Sequence, residues 1–185
     1  MKKIISLAII VFIGLLLLFL IPSRKANDTL VAYFSATGNT KAVAERLASA
    51  IHADLFEIVP EQLYTAEDLD WRNQKSRSST EMIDRNSRPI IATDVTDMAK
   101  YKTIFIGFPI WWGREPSIID TFMTSYDFAS KTIIPFATSG STPTTDDAAA
   151  SIRLLAPAAN VLNGKRFPVD VSADELETWA TKWTK

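Results

Sequence analysis

The sequence predicts an α/β domain built on a doubly wound parallel sheet of five strands, preceded by one N-terminal hydrophobic helix. Three observations carry that expectation. Short β-rich runs alternate with helix-period segments from Thr29 to the C-terminal end, which is the pattern of βαβ units. The run Thr103–Phe108 (TIFIGF) is apolar on both side-chain parities, as in a strand covered on both faces. Ile4–Ile21 is relieved only by Ser6 and Gly14, and about 18 apolar residues are just enough to cross a bilayer as a helix.

Residues 1–26 are therefore read apart from residues 27–185, the globular domain. The apolar run is longer than the roughly 7–15 residues usual for a secretory signal core. It is followed by Pro22-Ser23-Arg24-Lys25 without a clear small-x-small cleavage site. An uncleaved signal anchor is expected over a cleaved signal peptide. Lys2 and Lys3 favour an inside N-terminus and an extracytoplasmic domain, whereas Arg24 and Lys25 weaken that preference. Cleavage would make the domain a secreted one.

The chain has 185 residues, a net charge of −1, no Cys and a single His, His52. Without Cys there is no disulfide, thiolate zinc site, iron–sulfur cluster or thiol nucleophile. The near-neutral charge gives no reason to expect nucleic acid as a partner. Redox chemistry, if present, must come from a bound cofactor.

The expected elements follow in order. Thr29–Ser35 reads as a strand. Thr40–Ile51 reads as a helix, with Val43, Leu47, Ala50 and Ile51 on one stripe. Asp54–Val59 is a second strand, closed by Pro60, and Thr103–Phe108 is the third. The polar stretch Glu61–Lys100 between them is expected to hold a helix around Glu81. Ser117–Phe128 is a helix, with Pro116 suited to its first turn. Lys131–Thr138 is a fourth strand in which Pro135 signals a local irregularity. Asp146–Leu155 is a helix whose acidic start suits the positive end of its dipole. Ala159–Phe167 is a weak last strand around Asn163-Gly164, and Ala173–Trp183 closes the chain as an amphipathic helix.

In open α/β sheets ligands bind beyond the carboxyl ends of the strands. After the first strand stand Ser35, Ala36, Thr37, Gly38, Asn39 and Thr40, leading into a helix. Small hydroxyl residues around one Gly let backbone N–H groups curl about an anion, and the helix start adds partial positive charge. An ordinary capped turn uses the same residue types. The loop is neither a Walker A loop nor a dinucleotide fingerprint. After the third strand stand Pro109, Ile110, Trp111, Trp112 and Gly113. Two adjacent Trp cannot both bury on one side of an extended chain, so a flat aromatic ligand is one account of them. One core Trp beside one partner-contacting Trp is the other. After the fourth strand, Ser139, Gly140 and Ser141 form a small loop that lets backbone approach a ring edge, or a plain turn. Arg114 either faces such a ring or pairs with Glu115 at the surface. Tyr64 is placed to approach the ring from the insert. His52 is a boundary residue away from the site, and Asp146 and Asp147 read as helix caps rather than metal ligands.

Taken together, Ser35-x-Thr37-Gly38-Asn39-Thr40, Phe108-Pro109-Ile110-Trp111-Trp112-Gly113 and Phe136-Ala137-Thr138-Ser139-Gly140 resemble the flavodoxin family. The likeness is to its bacterial flavodoxin-like branch with a Trp-Trp loop, and it extends over Thr29–Trp183. The resemblance implies a flavodoxin-like fold with strand order 2-1-3-4-5 and FMN at the sheet edge. It implies that Ser35, Thr37, Gly38, Asn39 and Thr40 hold the phosphate. Pro109–Gly113 would then flank the isoalloxazine, with Trp111 or Trp112 stacked on it, and Ser139–Ser141 would reach its polar edge. The implied activity is electron transfer with a redox partner protein or a small-molecule acceptor. An FMN-dependent quinone or small-molecule reductase using NAD(P)H, and a surface module that has lost the cofactor, are the alternatives. The chain departs from the soluble carriers of this family in its near-neutral charge and its N-terminal apolar segment.

Overall fold

The computed structural model describes residues 27–138 and 144–184. The apolar segment 1–26 and the Ser139, Gly140 and Ser141 positions lie outside the described residues. Among the described residues no helix is long and apolar enough to cross a membrane.

The strands are β1 (Thr29–Tyr33), β2 (Asp54–Glu57), β3 (Thr103–Pro109), β4 (Thr132–Thr138), β5 (Asn160–Val161) and β6 (Lys165–Phe167). All pair in parallel, in the order β2-β1-β3-β4-β5, with β6 also on β4. This is the flavodoxin-like order 2-1-3-4-5, with β5 and β6 sharing the fifth position. The helices are α1 (Asn39–Ile51), α2 (Arg77–Ile83), α3 (Ser117–Ser125), α4 (Asp146–Leu155) and α5 (Ala173–Ala180).

Alternate strand residues feed two cores, which explains why the central strands are apolar on both parities. Val31, Tyr33, Phe105, Ile134, Phe136 and Phe167 pack with Leu47 of α1 and with Leu176 and Trp179 of α5. Leu30, Ala32, Ile104, Ile106 and Phe108 pack with Ile118 and Phe122 of α3 and Ile152 of α4. Gly107 lies on the face of the first set, where the Phe136 ring crosses it; a Cβ there would stand 2.2 Å from that ring.

The irregularity signalled by Pro135 is a split in the fifth strand. Asn160 and Leu162 donate N–H to the carbonyls of Lys131 and Ile133, so the odd-numbered residues of β4 face the fifth position. Pro135 faces it too and has no N–H to give. Pairing resumes only at Phe136↔Lys165.

The insert between β2 and β3 holds α2, whose N-cap Ser76 accepts from Ser79 N–H, and a 3-10 turn at Met98–Lys100. The turn is tied down by the buried Lys131, whose Nζ donates to the carbonyls of Met98 (3.2 Å), Ala99 (3.3 Å) and Tyr101 (2.6 Å). His52 caps the far end of α1 in the left-handed region (φ 54), away from the carboxyl edge as expected. Asp146 and Asp147 lie in the first turn of α4, behind Thr145 as N-cap. They act on the helix dipole rather than as caps.

Candidate functional site

A cleft of about 950 Å³ opens at the carboxyl ends of β1, β3, β4 and β6. Of the residues expected there, Ala36, Thr37, Asn39, Pro109, Ile110, Trp111 and Trp112 line it. Ser35, Gly38, Thr40 and Gly113 belong to the same two turns without lining it.

The first turn is shaped by Gly38, which has φ 87, a left-handed conformation that glycine adopts without Cβ strain. It is the N-cap of α1, and no side chain caps the helix. The first-turn N–H groups of a helix have no partner within it, so α1 presents donors and partial positive charge beside the exposed Thr37 and Asn39. Thr40 is buried, and its Oγ1 lies 2.8 Å from Thr138 Oγ1. That contact joins the β1 turn to the end of β4.

The second turn presents the two tryptophans differently. Trp111 N–H donates to Arg114 O (2.9 Å), and Arg114 N–H donates to Trp111 O (3.1 Å). Between them Trp112 has φ 47 and Gly113 φ 85. Positive φ at both central residues is the requirement of a type I′ turn. A bulky side chain is uncommon there, and the turn holds the Trp112 indole 53 % exposed at the mouth of the cleft. Trp111 is half-buried, edge-on to Phe34 (5.7 Å between centroids) and to Tyr64 (5.4 Å). Tyr64 thus reaches the site from the insert, as a support for Trp111.

Behind this turn lies a buried polar network. Tyr64 Oη donates to Glu81 Oε2 (2.5 Å), and the Arg77 guanidinium sits 4.1 Å from the Tyr64 ring centroid. Burial first, then that bond to Glu81, holds the Tyr64 phenol well above its ordinary range, so it remains a neutral donor. Ser117 Oγ donates to Glu81 O (2.8 Å) and lies 3.3 Å from Arg114 Nη2. Arg114 Nη1 reaches Glu115 Oε1 (3.1 Å) and Asp120 Oδ2 (3.2 Å). The pairing with Glu115 is as expected from sequence, but its setting is not. Arg114 is 9 % exposed and Glu115 is fully buried; the pair lies beneath the turn rather than at the surface. Burial, with Asp120 close by, pushes the Glu115 carboxyl up to about 7.

Sequence reading missed Leu69, Trp71, Ser78, Thr138, Arg166, Phe167, Pro168 and Val169 as cleft walls. Reading past the weak last strand would have found Pro168 and Val169. Leu69, Trp71 and Ser78 come from the insert, where no periodicity points to them. The Ser78 hydroxyl is informative: the residue is 2 % exposed, and Oγ has no hydrogen-bond partner among the described residues. A buried polar atom without a partner on a cleft wall fits a ligand that supplies one.

The profile of the flavodoxin family matches residues 28–183. The structure is similar to a chain from Bacteroides uniformis described as a flavoprotein, at 45 % identity, covering 85 % of this chain and 99 % of that one, with a TM-score of 0.79. It is similar to another from Bacteroides eggerthii with the same description, at 40 % identity, covering 84 % and 96 %, with a TM-score of 0.79. A flavoprotein from Lactobacillus acidophilus, crystallised with FMN, is 26 % identical over 86 % of this chain and 100 % of that one, with a TM-score of 0.67. No curated protein matches the chain. A family match over nearly the whole described fold, on a sheet whose carboxyl edge opens into an aromatic-walled cleft, places this chain in the flavodoxin family.

Proposed function

We propose that this chain binds FMN in the carboxyl-edge cleft and passes electrons through it. One observation carries the reading: an uncapped helix start and two tryptophans at a tight turn share one cleft. The residues suit the group at each point. The first turn of α1, with Thr37 and Asn39, would hold the phosphate. Pro109, Ile110 and Trp111 give an apolar wall, with Trp112 at its rim, and Ser78 offers a hydroxyl in need of a partner. About 950 Å³ lies toward the upper end of the ~300–1,000 Å³ usual for small-molecule sites. FMN, when bound, supplies the electron chemistry, and the protein sets its affinity and potential. The Lactobacillus acidophilus relative crystallised with FMN supports the choice of cofactor.

Titration of the full-length chain in detergent with FMN and with riboflavin tests the reading. FMN should bind about 100-fold more tightly, since two charge-assisted bonds to phosphate at roughly 1.5 kcal/mol each give that ratio. Equal affinities, or no FMN uptake at micromolar concentration, would refute it. Direct reduction of a flat small molecule at the expense of NAD(P)H is the second reading. The exposed rim of Trp71 (65 %), Trp112 (53 %) and Val169 (40 %) favours it.

We further propose that residues 1–26 anchor the domain in the cell membrane, with the domain extracytoplasmic. β1 runs from Thr29 toward the cleft, so the described chain begins at the opposite pole of the sheet. An anchor attached there would hold the cleft away from the bilayer, open to a soluble partner protein or acceptor. The full-length chain is expected in the membrane fraction and accessible to protease added outside intact cells. Recovery of the uncleaved chain in the soluble fraction would refute the anchor.

A further inference from the structure

Four hydroxyl side chains stand between Ser76 and Thr80 in the insert, and three of them are occupied. Ser76 Oγ donates to Ser79 Oγ (2.9 Å) and accepts from Ser79 N–H (3.3 Å). Thr80 Oγ1 donates to the carbonyls of Ser76 (3.1 Å) and Arg77 (3.0 Å). Ser78 Oγ differs: it is buried on a wall of the cleft and has no partner among the described residues. The backbone holds it there, because Ser78 N–H donates to Asp68 O (3.0 Å) and Ser76 caps the helix at its start. Residues three apart share a helix face, so Ser78 stands on the same face of α2 as Glu81, which receives the Tyr64 hydroxyl. Tyr64 in turn lies edge-on to Trp111. The hydroxyl is therefore on the aromatic side of the cleft, and the α1 turn approaches from the other. α1 packs on the sheet face of Val31 and Phe105, whereas the insert, through Ile58, Val95 and Met98, packs on the face of Leu30 and Ile104.

We propose, on the FMN reading above, that Ser78 hydrogen-bonds the flavin ring and fixes its position against the Trp111 side of the cleft. A phosphate seated at the first turn of α1 is approached from the opposite face of the sheet, so the hydroxyl meets a different part of the ligand. Leu69 and Trp71, its neighbours on the insert wall, suit the faces of a ring, and Ser78 supplies a polar partner for its edge. A hydroxyl both donates and accepts, so it serves a ring carbonyl, a ring nitrogen or a ring N–H. Without ligand, a buried hydroxyl that lacks a partner weakens the fold. With ligand, that cost is offset. Ser78 is thus a binding residue that the fold itself does not need.

The test compares S78A with the wild type, both full-length in detergent. Titrated with FMN and with riboflavin, S78A should bind each about tenfold more weakly, the upper range for one lost neutral hydrogen bond. The ratio of the two affinities should stay at its wild-type value, because the phosphate contacts are untouched. The visible absorption bands of the bound ring should be displaced from their wild-type positions. A hydrogen bond to the ring alters its electronic transitions, and one to the phosphate does not. Without ligand, S78A should unfold at a urea concentration no lower than the wild type, since the change removes a buried hydroxyl that had no partner. A ligand-free S78A that unfolds earlier makes Ser78 a structural residue and overturns the proposal. FMN affinity equal to wild type overturns it as well. Weakened FMN binding with riboflavin affinity kept, or with unshifted bands, takes the hydroxyl off the ring and also overturns it. Each of these results leaves FMN binding standing. A wild type that takes up no FMN overturns both readings.

Discussion

Replacing Arg114 by Met is expected to cost about 3–5 kcal/mol of folding stability at pH 8, the range for breaking a buried ion pair from one side. Arg114 is the near cation for two carboxyl groups, Glu115 and Asp120, which are 0 % and 2 % exposed. Arg88 lies 3.8 Å from Asp120 Oδ2 and covers part of that charge, but Glu115 keeps no comparable partner. The loss should depend on pH. The folded protein holds Glu115 up to about 7, above the unfolded value near 4.3. Between those values the folded state binds the proton and the unfolded state does not. The stability this proton confers is full below about pH 4.3 and is lost as pH rises through 7. In the variant, a protonated Glu115 is tolerated better than an ionised one, so the cost at pH 5.5 should be clearly smaller than at pH 8. Urea unfolding at the two pH values measures this. A loss under about 1 kcal/mol at pH 8 would show that the carboxyls do not depend on Arg114.

The same network marks where the sequence stopped being legible. That Arg114 pairs with Glu115 follows from adjacency. That both are buried depends on Asp120 and Ser117, brought over them by the first turns of α3, and on Glu81 from the insert. No local pattern announces such burial, because Arg-Glu reads as a solvated pair wherever it occurs. The sheet was legible for the opposite reason. An apolar run such as Ile104–Phe108 is stable only between two helix layers, so its composition alone fixes its place. The helix start at Asn39 and its Gly38 turn were legible because glycine is the residue that accepts φ 87 cheaply. The Trp112-Gly113 turn was not. A type I′ turn is signalled by Asn-Gly or Asp-Gly, and Trp at φ 47 is held by the reciprocal Trp111–Arg114 bonds rather than by its own preference. The far walls of the cleft escaped for yet another reason. Trp71 and Ser78 come from a segment with one short helix, and Arg166 lies within β6, a strand too short to show alternation.

Replacement of Gly164 by Ala should cost about 3 kcal/mol, at the high end for forcing an extra methyl into packed structure. The added Cβ would stand 2.1 Å from the Pro135 carbonyl oxygen and 2.8 Å from Thr145 Oγ1. The first of these is backbone in the middle of a central strand and has no rotamer through which to yield. The chain passes this close because Pro135, lacking an N–H, leaves the fifth position unpaired there, and the strand resumes one residue later at Lys165. Relief must come from moving β6 off β4, which shifts the pairs Ala137↔Arg166 and Thr138↔Phe167. Of these, Thr138, Arg166 and Phe167 form one wall of the cleft, so the same methyl should weaken FMN binding while leaving the α1 turn intact. Gly38 makes the contrast, since a Cβ there meets nothing within 4 Å and Gly38→Ala carries only the strain of a positive φ, about 1 kcal/mol. Urea unfolding and FMN titration of the two variants separate the effects. A Gly164→Ala protein as stable as Gly38→Ala would mean that the fifth strand is not pressed against Pro135.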